Sequence, residues 1–487
     1  MAKRVAVIDI GSNSVRMVVY EKTSRFAFHL LHEAKSKVRI SEDAYNNNGN
    51  LQELPMQRAY DALDNFLNII SSLKVRKTLC VATSALRDAP NKKDFIQRVK
   101  NNLKLNIKVI DGCKESYFGA IACANLLPTQ ENALSIDIGG GSTEFALIDS
   151  NNVKKTISLN LGTVRLKELF FDTNSIDDAV SYIDDTIDSF ITDINPTTLI
   201  GIGGTFRAIT TAMMKSSDYP YKKLHAYECS EDKFTTFISS VLEADKSKLK
   251  KLGIKKDRFD IIKPGALILQ RVLKKLKIKN LITSGVGVRE GVYLADLLRG
   301  SKEKFPANYN TSLRYLLDSH VDDNNFSNQL NSLSKKIFDL TYEHLNIDKK
   351  YRYELAVSAK LYITGNNIHF YSKNKHSYYL IQSALEYGFT HAQTILIATL
   401  VRFAKGKLPS DLHFKNYSSL LPDRDTLNKL SYILSLTNAL LSHKPRNIDF
   451  ELKLNDRVLV VESKNNLYLV KEAVDKLSEI KDLKVSF

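Results

Sequence analysis

Val5-Ala6-Val7-Ile8-Asp9-Ile10-Gly11-Ser12-Asn13-Ser14 and Ala133-Leu134-Ser135-Ile136-Asp137-Ile138-Gly139-Gly140-Gly141-Ser142 are one pattern written twice. In each copy an apolar run suited to a buried strand ends in Asp-Ile-Gly, and small residues then form a tight turn. Strand-like residues resume at Met17-Val18-Val19 and at Phe145-Ala146-Leu147, so each copy predicts a β-hairpin. The hairpin tips Gly11, Ser12, Asn13, Ser14 and Gly139, Gly140, Gly141, Ser142 offer backbone N–H groups and hydroxyls to an anion. Glycine lets a backbone approach a phosphate closely, and successive N–H groups form an anion-binding concavity. Asp9 and Asp137, at the strand ends, suit a Mg²⁺ ion directly or through water. One D-x-G turn is an ordinary hairpin. Two in the same register, each opening a domain-sized segment, predict two related half-domains that clamp one phosphorylated ligand.

The rest of the chain bounds this reading. A length of 487 residues predicts two to four domains, and 43% hydrophobic with 25% charged residues is ordinary for a soluble globular protein. The first apolar run is four residues long and ends at Asp9, so no secretory signal is expected. No stretch approaches the roughly 18 apolar residues of a membrane span. Cys80, Cys113, Cys123 and Cys229 show no C-x-x-C spacing, which argues against structural zinc and for a reducing, cytoplasmic setting. The net charge of +16 is by itself a lysine-rich soluble surface, and it favours a phosphate-rich ligand only in combination with the glycine loops. No zinc finger, RNA-binding motif or basic arm accompanies it, so no specific nucleic acid is expected.

Residues 1–125 and 126–305 each alternate strand-like and helix-like segments, the mark of α/β architecture. A helix is predicted over Leu51 to Leu73. Strands are predicted at Leu79–Thr83, Ile107–Ile110, Ala133–Ile138, Leu199–Ile202 and Asn280–Ser284. Residues 306–447 are poor in glycine and periodically apolar, and read as all-helical. Residues 448–487 read as a small α+β segment, with a hairpin at 450–461, a helix from Tyr468 to Ile480 and a strand at Leu483–Phe487.

Four further segments carry chemistry. Thr83 and Ser84 follow a strand and would cap a helix that places Arg87 one turn in, a phosphate-binding arrangement. Glu115 falls in the first turn of a small-residue helix after Ile110-Asp111-Gly112. Gly203-Gly204-Thr205 and Gly285-Val286-Gly287 each end a strand and open a helix.

Together with the two hairpins, Ala82–Ala89, Gly112–Ser116, Ile138–Glu144, Leu161–Leu166 and Ser284–Gly291 resemble the exopolyphosphatase / guanosine pentaphosphate phosphatase (Ppx/GppA) family of the actin-like phosphotransferase superfamily. The resemblance is specific over residues 1–300 and weaker beyond. It implies two ribonuclease-H-like (actin-like ATPase) α/β domains, then an all-α HD-like domain and a small α+β C-terminal segment.

It further implies Glu115 as the general base; Asp137 and Glu144, with Asp9 nearby, at a Mg²⁺ or Mn²⁺ site; and Arg87, Arg16, Arg258, Gly204, Thr205 and the glycine tips around phosphate. Lys114 and Ser116 flank Glu115 where the family usually has an acid and an Ala. Tyr362 and Ile363 stand where an HD domain has its His-Asp pair, so no second metal centre is expected, although His369, His376 and His391 lie nearby in sequence.

The implied activity is release of terminal phosphate from inorganic polyphosphate or guanosine pentaphosphate. The implied partners are these anions, including guanosine tetraphosphate, and a second copy in a homodimer. Lys246, Lys248, Lys250, Lys251, Lys255 and Lys256 are candidate polyanion contacts, though such a run is more often a solvated helix face. An actin-fold kinase and a non-catalytic polyphosphate or alarmone sensor are the competing readings.

Overall fold

A computed structural model describes residues 3–44, 47–191 and 194–487. The chain forms two compact units, Met1–Tyr309 and Asn310–Phe487.

The first unit holds two sheets. One contains β1 (Arg4–Ile10), β2 (Val15–Lys22), β3 (Phe28–Ser36), β4 (Lys77–Ala82) and β5 (Lys108–Val109), in the order β3-β2-β1-β4-β5. The other contains β6 (Ala133–Ile138), β7 (Thr143–Asp149), β8 (Asn152–Leu159), β9 (Thr198–Ile202), β10 (Tyr227–Ser230) and β11 (Asn280–Thr283), in the order β10-β11-β9-β6-β7-β8. Both use one plan: an antiparallel meander whose first strand also pairs in parallel with a later strand, β1 with β4 and β6 with β9.

The repeated motifs fall in identical register. Asp9 faces Arg16 across β1–β2, and Asp137 faces Glu144 across β6–β7. In both hairpins the Gly after Asp-Ile donates its N–H four-residue-turn fashion, Gly11 to the Ser14 carbonyl (3.2 Å) and Gly139 to the Ser142 carbonyl (2.9 Å).

The helix read over 51–73 spans Glu53–Ser72, and Met56, Ala59, Leu63, Phe66 and Ile70 bury one face of it, as their spacing of three and four dictates. Only one turn, Ser84–Arg87, follows β4. Thr83 does not cap it; its hydroxyl reaches the Ile10 carbonyl instead (3.5 Å). The helix Gly112–Leu126 is capped by Asp111, whose carboxylate accepts the Lys114 N–H (2.7 Å). It packs closely on the helix Val288–Leu297: a Cβ on Gly291 would lie 1.8 Å from the Phe118 carbonyl oxygen.

The second unit is helical from Thr311 to Leu440 and ends in a three-stranded sheet of β12 (Glu451–Asn455), β13 (Val458–Glu462) and β14 (Lys484–Ser486). The helix expected to run from Tyr468 to Ile480 stops at Asp475. There the Leu477 N–H closes on Val474, and the Ser478 N–H turns away to the Gly406 carbonyl (2.9 Å). Among the described residues no helix is long and apolar enough to cross a membrane.

Gly291→Ala must push the two helices apart. Thermal or denaturant unfolding is expected to show a loss of about 1–3 kcal/mol or more, as overpacking costs. An unchanged unfolding midpoint would mean that the helices slide freely.

Candidate functional site

One cleft in the first unit gathers residues from both sheets. Asp9, Gly11, Ser12, Asn13, Ser14 and Arg16 come from the first hairpin. Asp137, Gly139, Gly140, Ser142 and Glu144 come from the second. Glu115, Gly204, Thr205 and Arg258 also line it. Of the residues singled out in the sequence, Arg87 and Gly141 are not in the lining. The Gly141 carbonyl accepts from Arg165 Nε (3.0 Å). The lysines of the 246–256 run are not in the lining either; Lys246–Lys251 is a short helix that buries only Leu249.

Arg87 works one step back from the cleft. Its Nη1 donates to Glu115 Oε2 (2.9 Å) and its Nη2 to Ser142 Oγ (3.3 Å). Ser142 Oγ in turn donates to Glu144 Oε1 (2.7 Å), which also accepts from Ser158 Oγ (2.7 Å). One hydrogen-bonded chain therefore links the helix that carries Glu115 to the second hairpin.

Burial raises the Glu115 carboxyl well above its ordinary range, and the charge of Glu144 adds to this; Arg87 opposes both without cancelling them. Burial also lifts Glu144 to about 7, against its bonds from the two serines and with help from Asp137. Asp137 is lifted to about 6, again by burial, with Arg207 opposing and Asp9 adding. Asp9 is raised by burial against Arg289 and Arg16.

Glu290 ends on the other side. Burial pushes it up, but Arg289, the Tyr20 hydroxyl and Arg207 outweigh that and leave it below the usual carboxylate range. Tyr20 donates to its Oε1 (2.6 Å) and the Gly287 N–H to its Oε2 (2.7 Å).

Three charged cleft residues escaped the sequence reading as site candidates. Arg289 and Glu290 lie inside the Ser284–Gly291 stretch, where the motif itself was the available signal. Arg207 had none: its guanidinium is fixed by the carbonyls of Ser284 (2.8 Å) and Val286 (2.9 Å), contacts visible only after folding. Gly203 at φ +80° presses on the same centre, with its absent Cβ 2.2 Å from Asp137 Oδ1; a side chain there would be strained and would displace the carboxylate.

The donor set fits a hard divalent cation in one particular way. Among the described residues no three His, Cys, Asp or Glu side chains form a preassembled metal cage. Mg²⁺ needs none, since it is commonly held by one or two carboxylates, waters and substrate phosphate oxygens. Asp9 and Asp137 accept no side-chain or backbone hydrogen bond among the described residues and face the cleft, as carboxylates kept for such an ion would. In the second unit Tyr362 and Ile363 are buried, and Asn438 donates to the Tyr362 hydroxyl (3.1 Å).

Paired glycine tips over a carboxylate-lined cleft between two such sheets define a phosphate-processing enzyme of the actin-like class. Residues 18–300 match the Ppx/GppA phosphatase family, and residues 310–480 match domain III of Ppx/GppA phosphatases. The chain belongs to the Ppx/GppA phosphatase family, and it is a hydrolase of that type.

The chain is 25% identical over 417 residues to the guanosine-5'-triphosphate,3'-diphosphate pyrophosphatase of Photobacterium profundum, covering 83% of this chain and 81% of that protein. It is 31% identical over 290 residues to the bifunctional 3-dehydroquinate synthase/phosphatase of Fusobacterium nucleatum, covering 55% of this chain but only 43% of that protein. The crystal structure of an exopolyphosphatase from Cytophaga hutchinsonii superposes with a TM-score of 0.57 at 26% identity, covering 62% of this chain and 100% of that one.

A carboxyl raised by folding binds protons that the unfolded chain has released. For Glu144, stability therefore falls as pH rises from about 4.5 to about 7. In chelator, Glu144→Gln is expected to melt at a temperature that gains on the parent steadily across that window. A gap that does not change with pH would show that Glu144 carries no such strain.

Proposed function

We propose that this cleft hydrolyses the terminal phosphoanhydride of inorganic polyphosphate or of guanosine pentaphosphate, with Glu115 as general base. The observation that carries the reading is the bond from Arg87 to Glu115 in a site that raises the Glu115 carboxyl. A base poised nearer neutrality takes a proton from water more effectively than an ordinary carboxylate, and Arg87 fixes the direction in which it points.

The terminal phosphate sits against the two glycine tips. Their N–H groups and the Ser12 and Ser14 hydroxyls hold its oxygens, and Arg16, beside Ser14 in the first hairpin (3.4 Å), and Arg258 supply positive charge in the same cleft. Asp137 and Glu144, with Asp9, are the residues that would hold Mg²⁺ or Mn²⁺, which when bound withdraws charge from the transferring phosphate. Glu115 orients the attacking water and accepts its proton. The shortened polyphosphate, or guanosine tetraphosphate, leaves along the line of attack. Retention of acids at 115, 137 and 144 supports turnover over mere sensing.

Phosphate release from short-chain polyphosphate and from guanosine pentaphosphate, measured side by side at fixed salt, tests the reading. Release is expected with Mg²⁺ or Mn²⁺ and is expected to stop in chelator. Glu115→Gln is expected to lower turnover about 10²–10⁴-fold with ligand binding retained. Turnover within a few-fold of the parent would remove Glu115 from the mechanism.

A further inference from the structure

His225 is buried just ahead of β10, and both of its ring nitrogens are engaged. Its Nδ1 accepts the N–H of Gly285 (3.0 Å), and its Nε2 lies 2.9 Å from the carbonyl oxygen of Leu126. A backbone N–H can only donate and a carbonyl can only accept. The two partners therefore fix the ring in one form, bare at Nδ1 and protonated at Nε2. The fit is close, since a Cβ on Gly285 would lie 2.8 Å from the Cβ of His225.

The two bonds lead to different parts of the cleft wall. Leu126 ends the helix Gly112–Leu126, which carries Glu115 in its first turn. Gly285 belongs to the loop between β11 and the helix Val288–Leu297. That loop holds Arg207, because the carbonyls of Ser284 (2.8 Å) and Val286 (2.9 Å) accept from its Nε and Nη2. Gly285 stands between these two carbonyls in the chain, so its anchor constrains both. Cys123, in the same helix as Glu115, also reaches Ser284 Oγ (3.5 Å), but a thiol is a weak donor. The His225 bonds are the stronger tie. Arg207 itself lines the cleft, and its charge acts on buried Asp137.

We infer that His225 is a positioning residue for the proposed hydrolysis: its two hydrogen bonds clamp the Gly285 loop to the end of the Glu115 helix, and the clamped loop aims the Arg207 guanidinium at the phosphate being transferred. The inference rests on the hydrolase reading and extends it to a residue outside the cleft lining. A preorganised cation directed at charge that grows in the transition state acts on kcat more than on KM.

The test separates the two bonds. His225→Asn keeps an acceptor oxygen on Cγ, in the place of Nδ1. His225→Gln keeps an N–H within reach of Leu126 but has no acceptor on Cγ, and His225→Ala keeps neither. kcat and KM are measured on short-chain polyphosphate and guanosine pentaphosphate, with amide hydrogen exchange at Gly285 and melting temperature alongside. His225→Ala and His225→Gln are expected to lower kcat about 10–100-fold, as small misplacements of a catalytic environment do, with KM held within about 2-fold. His225→Asn is expected to recover most of kcat. Exchange at Gly285 is expected to accelerate in His225→Ala and His225→Gln and to stay slow in His225→Asn. With Arg207→Lys, whose ammonium has no planar fork to span both carbonyls, adding His225→Gln is expected to cost less than about 2-fold more.

The Asn and Gln pair carries the comparison if His225→Ala fails to fold. Equal kcat losses in His225→Asn and His225→Gln, losses that follow melting temperature alone, or full additivity with Arg207→Lys overturn the positioning role. Gly285 exchange that is the same in the parent and in His225→Gln overturns the clamp itself. Phosphate release from neither substrate by the parent overturns the hydrolase reading and the kinetic role with it, while the exchange measurement still decides the clamp.

Discussion

Five carboxylates, Asp9, Glu115, Asp137, Glu144 and Glu290, line one cleft, and burial acts on every one of them. The rest of the site is arranged around that electrostatic constraint. Buried like charges must be neutralised by a cation, a proton or hydrogen bonds. Glu290 is satisfied inside the protein by Arg289, Tyr20 and the Gly287 N–H, so it braces the wall. Glu115 is half satisfied, with one bond from Arg87 and a raised carboxyl. Asp137 and Glu144 remain in deficit at about 6 and 7. The deficit marks where charge from outside, a divalent ion or a proton, is most strongly favoured. The roles of five chemically similar residues are thus separated by what each is paired with.

The duplicated hairpin shows how one backbone solution serves two purposes. Position for position, Asp9-Ile10-Gly11 and Asp137-Ile138-Gly139 make the same turn in the same register. The residue facing the aspartate across the strand pair is Arg16 in one copy and Glu144 in the other. That change of sign balances the aspartate of the first copy with a cation and sets two carboxylates side by side in the second. The Arg87 fork then joins the halves, since it bonds both Glu115 and Ser142.

The sequence made the hairpins legible because a buried strand with an Asp-Ile-Gly ending constrains side-chain alternation, turn and exposed polar atoms at once. Ala133–Ile138 was readable to the residue. The outer strands β3 and β8 were not. Phe28–Ser36 and Asn152–Leu159 are mixed in polarity and half exposed, and only pairing with β2 and β7 makes them strands. Arg207 was silent for a related reason, because its guanidinium is positioned by carbonyls 77 and 79 residues away in sequence. The helix end at Asp475 was equally hidden, being set by a bond from Ser478 to Gly406. What a residue does with its near neighbours could be read; what distant backbone does to it could not.

The same distinction governs substrate choice. In the mechanism proposed above, the tips, Glu115 and the acidic pair address only a terminal phosphoanhydride, which polyphosphate and guanosine pentaphosphate share. Machinery that touches only the common part cannot separate them, however tightly it holds the transition state. Discrimination needs binding energy from the part of the substrate that does not react.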